Sequence, residues 1–134
     1  MKLSLKDYFA SASGTGVLST ADAGGRVDSA IYSRPHVNDD GSLFFLMRDR
    51  LTYHNLQLNP HAAYLFIENS GGYRGVRLFL KKTGEDSDPD LIAGMTRRHL
   101  TAKEDTAKGP KFLVRFAVEK ILPLIGSGNA PVHR

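Results

Sequence analysis

Residues 43–60 read LFFLMRDRLTYHNLQLNP. Leu43 to Arg48 is an apolar, strand-like run. Two arginines, Arg48 and Arg50, stand within three residues at its end. Leu51 to Asn59 then reads as a short helix stopped before Pro60, because the residue preceding a proline is pushed out of the helical region. Thr52 is the expected N-cap. A helix start leaves backbone N–H groups unpaired and carries positive potential, so it receives phosphates. Arginine adds planar, charge-assisted donors, and Thr52 adds a hydroxyl. An apolar strand from Phe44 to Met47 beside such a pocket can lie along a flat ring. The stretch suits a phosphorylated aromatic cofactor. It suits equally a plain surface turn in which both arginines are solvated and Thr52 only caps the helix.

Upstream, residues 4–13 predict a short helix, with Ser4 as N-cap and Asp7 three residues on. Leu5, Tyr8, Phe9 and Ala12 form one apolar stripe. Three strands are then expected, Val17–Ala21, Val27–Val37 and Leu43–Arg48, separated by the turn signals Asp22-Ala23-Gly24-Gly25 and Asn38-Asp39-Asp40-Gly41. Pro35 belongs at an edge or a bulge. Downstream, Ala62–Glu68 is apolar on both faces and reads as a central strand. In Tyr73–Thr83, Val76, Leu78 and Leu80 share one face while Arg77, Phe79 and Lys81 share the other. Asp88 and Pro89 open a further helix, with Arg97 and Arg98 in its last turn. Thr101–Pro110 is polar and reads as a mobile loop. Phe112, Val114, Phe116 and Val118 make one face of a last strand. The tail from Gly126 has little to pack. Six strands and three short helices result, mainly β and antiparallel, and a sheet of this size closes naturally into a small barrel.

Composition narrows the chemistry. The 134 residues suit one domain, with 41% hydrophobic and 24% charged residues. No cysteine is present, which excludes disulfides, thiolate metal sites and cysteine nucleophiles. The N-terminus lacks a signal-peptide stretch and no apolar run is long enough to span a bilayer. The expectation is a cytoplasmic protein without a membrane partner. The net charge of +4 is modest and dispersed, so no nucleic-acid partner is expected. There is no dinucleotide fingerprint, P-loop, zincin pair or nucleophile elbow, and no metal site is expected. The acid pairs lie in turns and a cap.

The ordered set of segments resembles the pyridoxamine 5'-phosphate oxidase-like family of FMN-binding split barrels. GVLSTADAGGRVDSAIYS is similar to its opening hairpin, HNLQLNPHAAYLF to its helix-to-strand passage, and YRGVRLFLKKTGED to the long strand that follows. The resemblance covers roughly residues 5–120. It implies a six-stranded antiparallel split β-barrel, residues 1–134, with an N-terminal helix in 1–14 and a flexible tail in 125–134. It also implies a homodimer with FMN at the subunit interface. Contacts to the flavin ring and ribityl chain would come from Ile31, Tyr32, Ser33, Phe45, Leu46 and Met47, and the phosphate segment would be Arg48, Arg50, Leu51 and Thr52. The apolar faces at Ala62–Ile67 and Phe112–Val118 are expected to supply the dimer contact.

Departures from the family pattern bear on the substrate. Thr52 replaces a usual lysine, and Arg50 stands where serine is common. A glutamine of the oxidases falls on Gly75, and the chain ends GSGNAPVHR, without the tryptophan- and arginine-bearing C-terminal motif of true pyridoxamine phosphate oxidases. The resemblance thus implies FMN but not pyridoxamine phosphate as substrate. The flavin would carry hydride or electron transfer, with the protein binding and orienting it. A donor to its ring is expected from backbone N–H groups or from Ser33. Arg74 and Arg77 either reach an anionic substrate or lie exposed on an outer face. A flavin-dependent oxidoreductase of unidentified substrate leads. The alternatives are a non-enzymatic FMN carrier, or a split barrel for haem or a deazaflavin, with His54 or His61 as the first iron-ligand candidates.

Overall fold

The computed structural model describes residues 2–95 and 109–134. The chain runs β1 (Leu3–Ser4), α1 (Leu5–Ser11), β2 (Gly14–Ala21), β3 (Val27–Ile31), β4 (His36–Val37), β5 (Leu43–Arg48), α2 (Leu51–Leu58), β6 (His61–Glu68), β7 (Gly75–Asp86), α3 (Pro89–Met95), β8 (Lys111–Pro123) and β9 (Val132–His133). Seven strands form one sheet in the order β3-β2-β6-β7-β8-β5-β4. Every pair in it is antiparallel. The count is seven rather than the expected six because Val27–Val37 is two strands. The chain leaves the sheet at Tyr32, Pro35 supplies no N–H to a ladder, and pairing resumes at His36 against Phe44. The two edge strands, β3 and β4, are therefore consecutive in sequence. The segment 32–35 between them bridges the gap that makes the barrel a split one.

Strand alternation fills the core. Val76, Leu78 and Leu80 are at most 1% exposed. They pack with Leu18, Tyr64, Phe66, Val114 and Phe116. Helix α1 covers one end with Leu5, Tyr8 and Phe9. Its Ser4 hydroxyl accepts from the Asp7 N–H at 3.2 Å, the cap that the spacing predicts. At its other end the Arg34 guanidinium donates to the Phe9 and Ala12 carbonyls at 3.1 and 2.7 Å, where positive charge suits the helix dipole. Asp88 accepts from the Asp90 N–H at 3.0 Å at the start of α3, again as predicted. Arg97, Arg98 and most of the expected loop at Thr101–Pro110 lie outside the described residues.

The C-terminal stretch differs from its sequence reading. Val132 and His133 pair in parallel with Leu3 and Ser4. Val132 is 4% exposed and joins the main core. The two ends of the chain close on each other, a contact too remote in sequence for local pattern to reveal.

Candidate functional site

Strand β4 covers only Leu43 and Phe44 of β5. From Phe45 to Arg48 the edge opposite β8 carries no strand. Across the gap stands β3, paired on one side by β2 alone. Ile31, Tyr32 and Ser33 form this far rim, with Ile31 73% exposed. The Tyr32 and Phe45 rings meet edge to face at 6.0 Å. Helix α2 begins at the same place. Thr52 is buried there, and its hydroxyl and the Arg50 charge are both near enough to act on the Tyr32 phenol. Burial pushes the Tyr32 phenol up from its ordinary value. Thr52 and Arg50 pull it back, and Asp28 adds a small upward push. Tyr32, Arg50 and Thr52, separated by some twenty positions in sequence, thus converge at the split.

The helix start differs from its sequence reading. Arg50 occupies the N-cap position and no side chain caps the helix. Thr52 sits inside the first turn and faces the rim instead. No acidic residue stands in that turn, although Asp49 lies beside it, 2.8 Å from His54 Nε2. The amides at the start of α2 keep the unpaired donors of any helix N-terminus. A buried polar pair, Asn55 Nδ2 donating to Thr20 Oγ1 at 3.1 Å, fixes α2 against β2. On its outer side Tyr53 stacks on Phe112 at 4.2 Å and donates to Glu85. Burial, then the Glu85 carboxylate, pushes the Tyr53 phenol up to about 12.

The other expected residues divide. Phe45 and Met47, 2% and 1% exposed, point into the main core. Leu46 points the opposite way, with Phe44, into a second cluster that Ile92 and Leu91 of α3 cover together with Leu113. No side chain of this strand forms an open platform for a ring. What β5 offers the split is backbone. Arg48 donates to the Gly109 carbonyl at 2.8 Å, while Arg50 and Leu51 are exposed. Arg77 donates to the Pro123 carbonyl at 2.9 Å and to Gly126, so it ties down the C-terminal stretch; Arg74 is exposed. At position 75 any side chain would meet the Phe66 carbonyl, 1.9 Å from the Cβ position, which accounts for glycine there.

Sequence comparison finds no matching family model and no matching curated protein. Solved structures do match. An FMN-binding protein from Syntrophomonas wolfei subsp. wolfei superposes with a TM-score of 0.71, at 19% identity, over 92% of this chain and 86% of that one. The fold is a split barrel. A candidate pyridoxamine 5'-phosphate oxidase from Lactobacillus delbrueckii shares the split barrel at TM-score 0.65 and 18% identity, over 90% of this chain and 93% of that one. An F420 reductase shares it at 0.64 and 14%, over 81% and 88%.

Tyr64, which the sequence pattern marks only as a strand residue, also reaches the rim. Its hydroxyl donates toward the carbonyls of Tyr32 and Ser33. A tyrosine inside AAYLFI looks like a core aromatic, and nothing local marks its partner. A groove of about 350 Å³ lies elsewhere, beside Tyr8, Ser13, Glu68 and Asn69, and no expected site residue lines it. His54 and His61 are exposed beside Asp49 and Glu119. Among the described residues no group of three metal-ligating side chains occurs, and no helix is long and apolar enough to cross a membrane.

Proposed function

We propose that this chain is a flavoprotein that uses FMN for hydride or electron transfer with a small-molecule substrate or redox partner. The observation that carries the reading is the convergence of Tyr32, Thr52 and Arg50 on the split. The donor set fits a phosphorylated planar group. Arg50 and the amides opening α2 would hold the phosphate. The rim at Ile31–Ser33 and the backbone edge of Phe45–Met47 would flank the ring, with Arg48 and Leu51 at the phosphate end. When bound, the flavin supplies the redox chemistry. The chain binds and orients it, and the rim shields one of its faces. The relatives in fold, named as FMN-binding and F420-reducing proteins, support a flavin-type ligand.

A rim that covers one ring face leaves the other open, and a second copy of the chain would close it. The outer sheet face suits such a contact. Ile31, Val17, Leu65, Arg77 and Leu122 stand in register across five strands, next to the exposed Ile67 and Phe79. The Phe112–Val118 face does not contribute, because Val114, Phe116 and Val118 are buried in the core. The dimer contact then falls to β3, β2, β6 and β7. Sedimentation with flavin bound should give a dimer at micromolar concentration; a flavin-loaded monomer contradicts this.

The test of function is to identify the cofactor in heat-released supernatant of purified protein and to titrate the stripped protein with FMN and F420 in parallel. FMN binding with the spectral shift of a buried ring supports the reading. Preference for F420, whose chain also carries phosphate, would make the protein a deazaflavin split barrel. Turnover with reduced nicotinamide and an added acceptor then separates an enzyme from a carrier.

A further inference from the structure

Tyr64 stands mid-strand in β6 and is fully buried, yet its hydroxyl reaches the rim. It lies 3.1 Å from the Tyr32 carbonyl and 3.1 Å from the Ser33 carbonyl. In an extended strand successive carbonyls point to opposite sides; here two neighbours turn to the same donor. A trans peptide is planar, and the N–H of each residue points opposite to the carbonyl before it. The N–H groups of Ser33 and Arg34 are consequently both turned away from Tyr64, and so away from the core. Neither is paired with a described residue.

The segment is pinned in this arrangement from both ends. The Tyr32 N–H donates to the Gly16 carbonyl at 3.0 Å. The Arg34 side chain is held by the end of α1, and Pro35 restricts the backbone of Arg34 before it. Gly16 leaves room for the crossing. A Cβ there would lie 1.9 Å from the Tyr64 hydroxyl and 2.6 Å from the Tyr32 carbonyl.

We propose that Tyr64 is a positioning residue that aims the backbone N–H groups of Ser33 and Arg34 into the split, as a two-donor site for an oxygen or nitrogen acceptor on the edge of a bound ring. This rests on the flavin reading, since the pyrimidine edge of a flavin carries such acceptors. Preoriented donors favour the form of a ligand that carries more negative charge. The pair should raise the reduction potential of the bound flavin.

The experiment is an amide proton–nitrogen correlation spectrum of the full chain with and without FMN, on wild type and Tyr64→Phe. In wild type, the Ser33 and Arg34 amide protons should move downfield on saturation. In Tyr64→Phe both shifts should shrink by more than half. The dissociation constants of FMN and of riboflavin should rise together, by roughly 3- to 10-fold, as expected for one ordinary hydrogen bond, and the midpoint potential should fall. FMN that binds wild type while these two amides stay still overturns the inference and leaves the flavin reading standing. FMN that fails to bind at all overturns both. The wild-type spectra decide without the variant, should Tyr64→Phe fold poorly.

Discussion

Strands β2, β6, β7 and β8 are flanked on both sides, and the side chains on their inner face are apolar and buried. The gap between β3 and β5 is the opposite. Its backbone edges lack strand partners, and the groups gathered there are a phenol, a threonine, an arginine and turned peptides. In the first region the inward-facing residues are explained by packing. In the second, packing does not account for the reach of the Tyr64 hydroxyl to the rim, for Gly16 beneath it, or for the turn of Thr52 toward Tyr32. On the proposed reading, stability is concentrated in the buried inner face and ligand binding in the open gap, and mutation should separate the two.

The largest effect should come from the buried inner face. Phe116→Ala removes a fully buried ring and should lower unfolding free energy by about 3–5 kcal/mol in a denaturant titration. Flavin affinity of the folded fraction should be unchanged. Next is Gly16→Ala, at the seam. The forced displacement of Tyr64 and the rim should cost about 1–3 kcal/mol and weaken FMN as well. Loss of stability without loss of affinity would break the link between Gly16 and the site. Asp88→Ala removes the cap of α3. It should cost about 1 kcal/mol in the same titration and leave FMN binding alone.

The smallest effect concerns Glu85. Burial opposes its charge, but hydrogen bonds from Lys82, Tyr53 and Gln57 outweigh it and hold the carboxyl below its ordinary value. A carboxylate with a lowered folded value stabilises the protein above its unfolded value and loses that contribution as pH falls through the folded one. Wild type should therefore lose stability below about pH 4.5 more steeply than Glu85→Gln. Parallel acid limbs in the two proteins would mean that the cluster on the outer side of α2 is idle.

The first region was legible because its rules are local. Val76, Leu78 and Leu80 alternate and are buried, Ser4 stands three before Asp7 and caps α1, and Asp88 precedes Pro89 and caps α3. The open gap was legible only in part. Arg50 and the start of α2 stand out as a basic helix opening, but LFFLMR is apolar at successive positions, so sequence could not tell which face the core claims. The structure gives Phe45 and Met47 to the core and places Leu46 under α3. Thr52 has the side chain of a cap, and the approach of Tyr32 uses it differently. The pairing of Val132 with Leu3, and of Tyr64 with Tyr32 and Ser33, joins segments that no local pattern connects.

The most direct test is a titration of FMN and riboflavin into wild type and Arg50→Ala. If the split holds a flavin with its phosphate at α2, wild type should bind FMN far more tightly than riboflavin. Arg50→Ala should weaken FMN by roughly 10- to 100-fold, the worth of one or two charge-assisted hydrogen bonds, and leave riboflavin within about twofold. Equal losses for both ligands, or a wild type that does not distinguish them, would contradict the account.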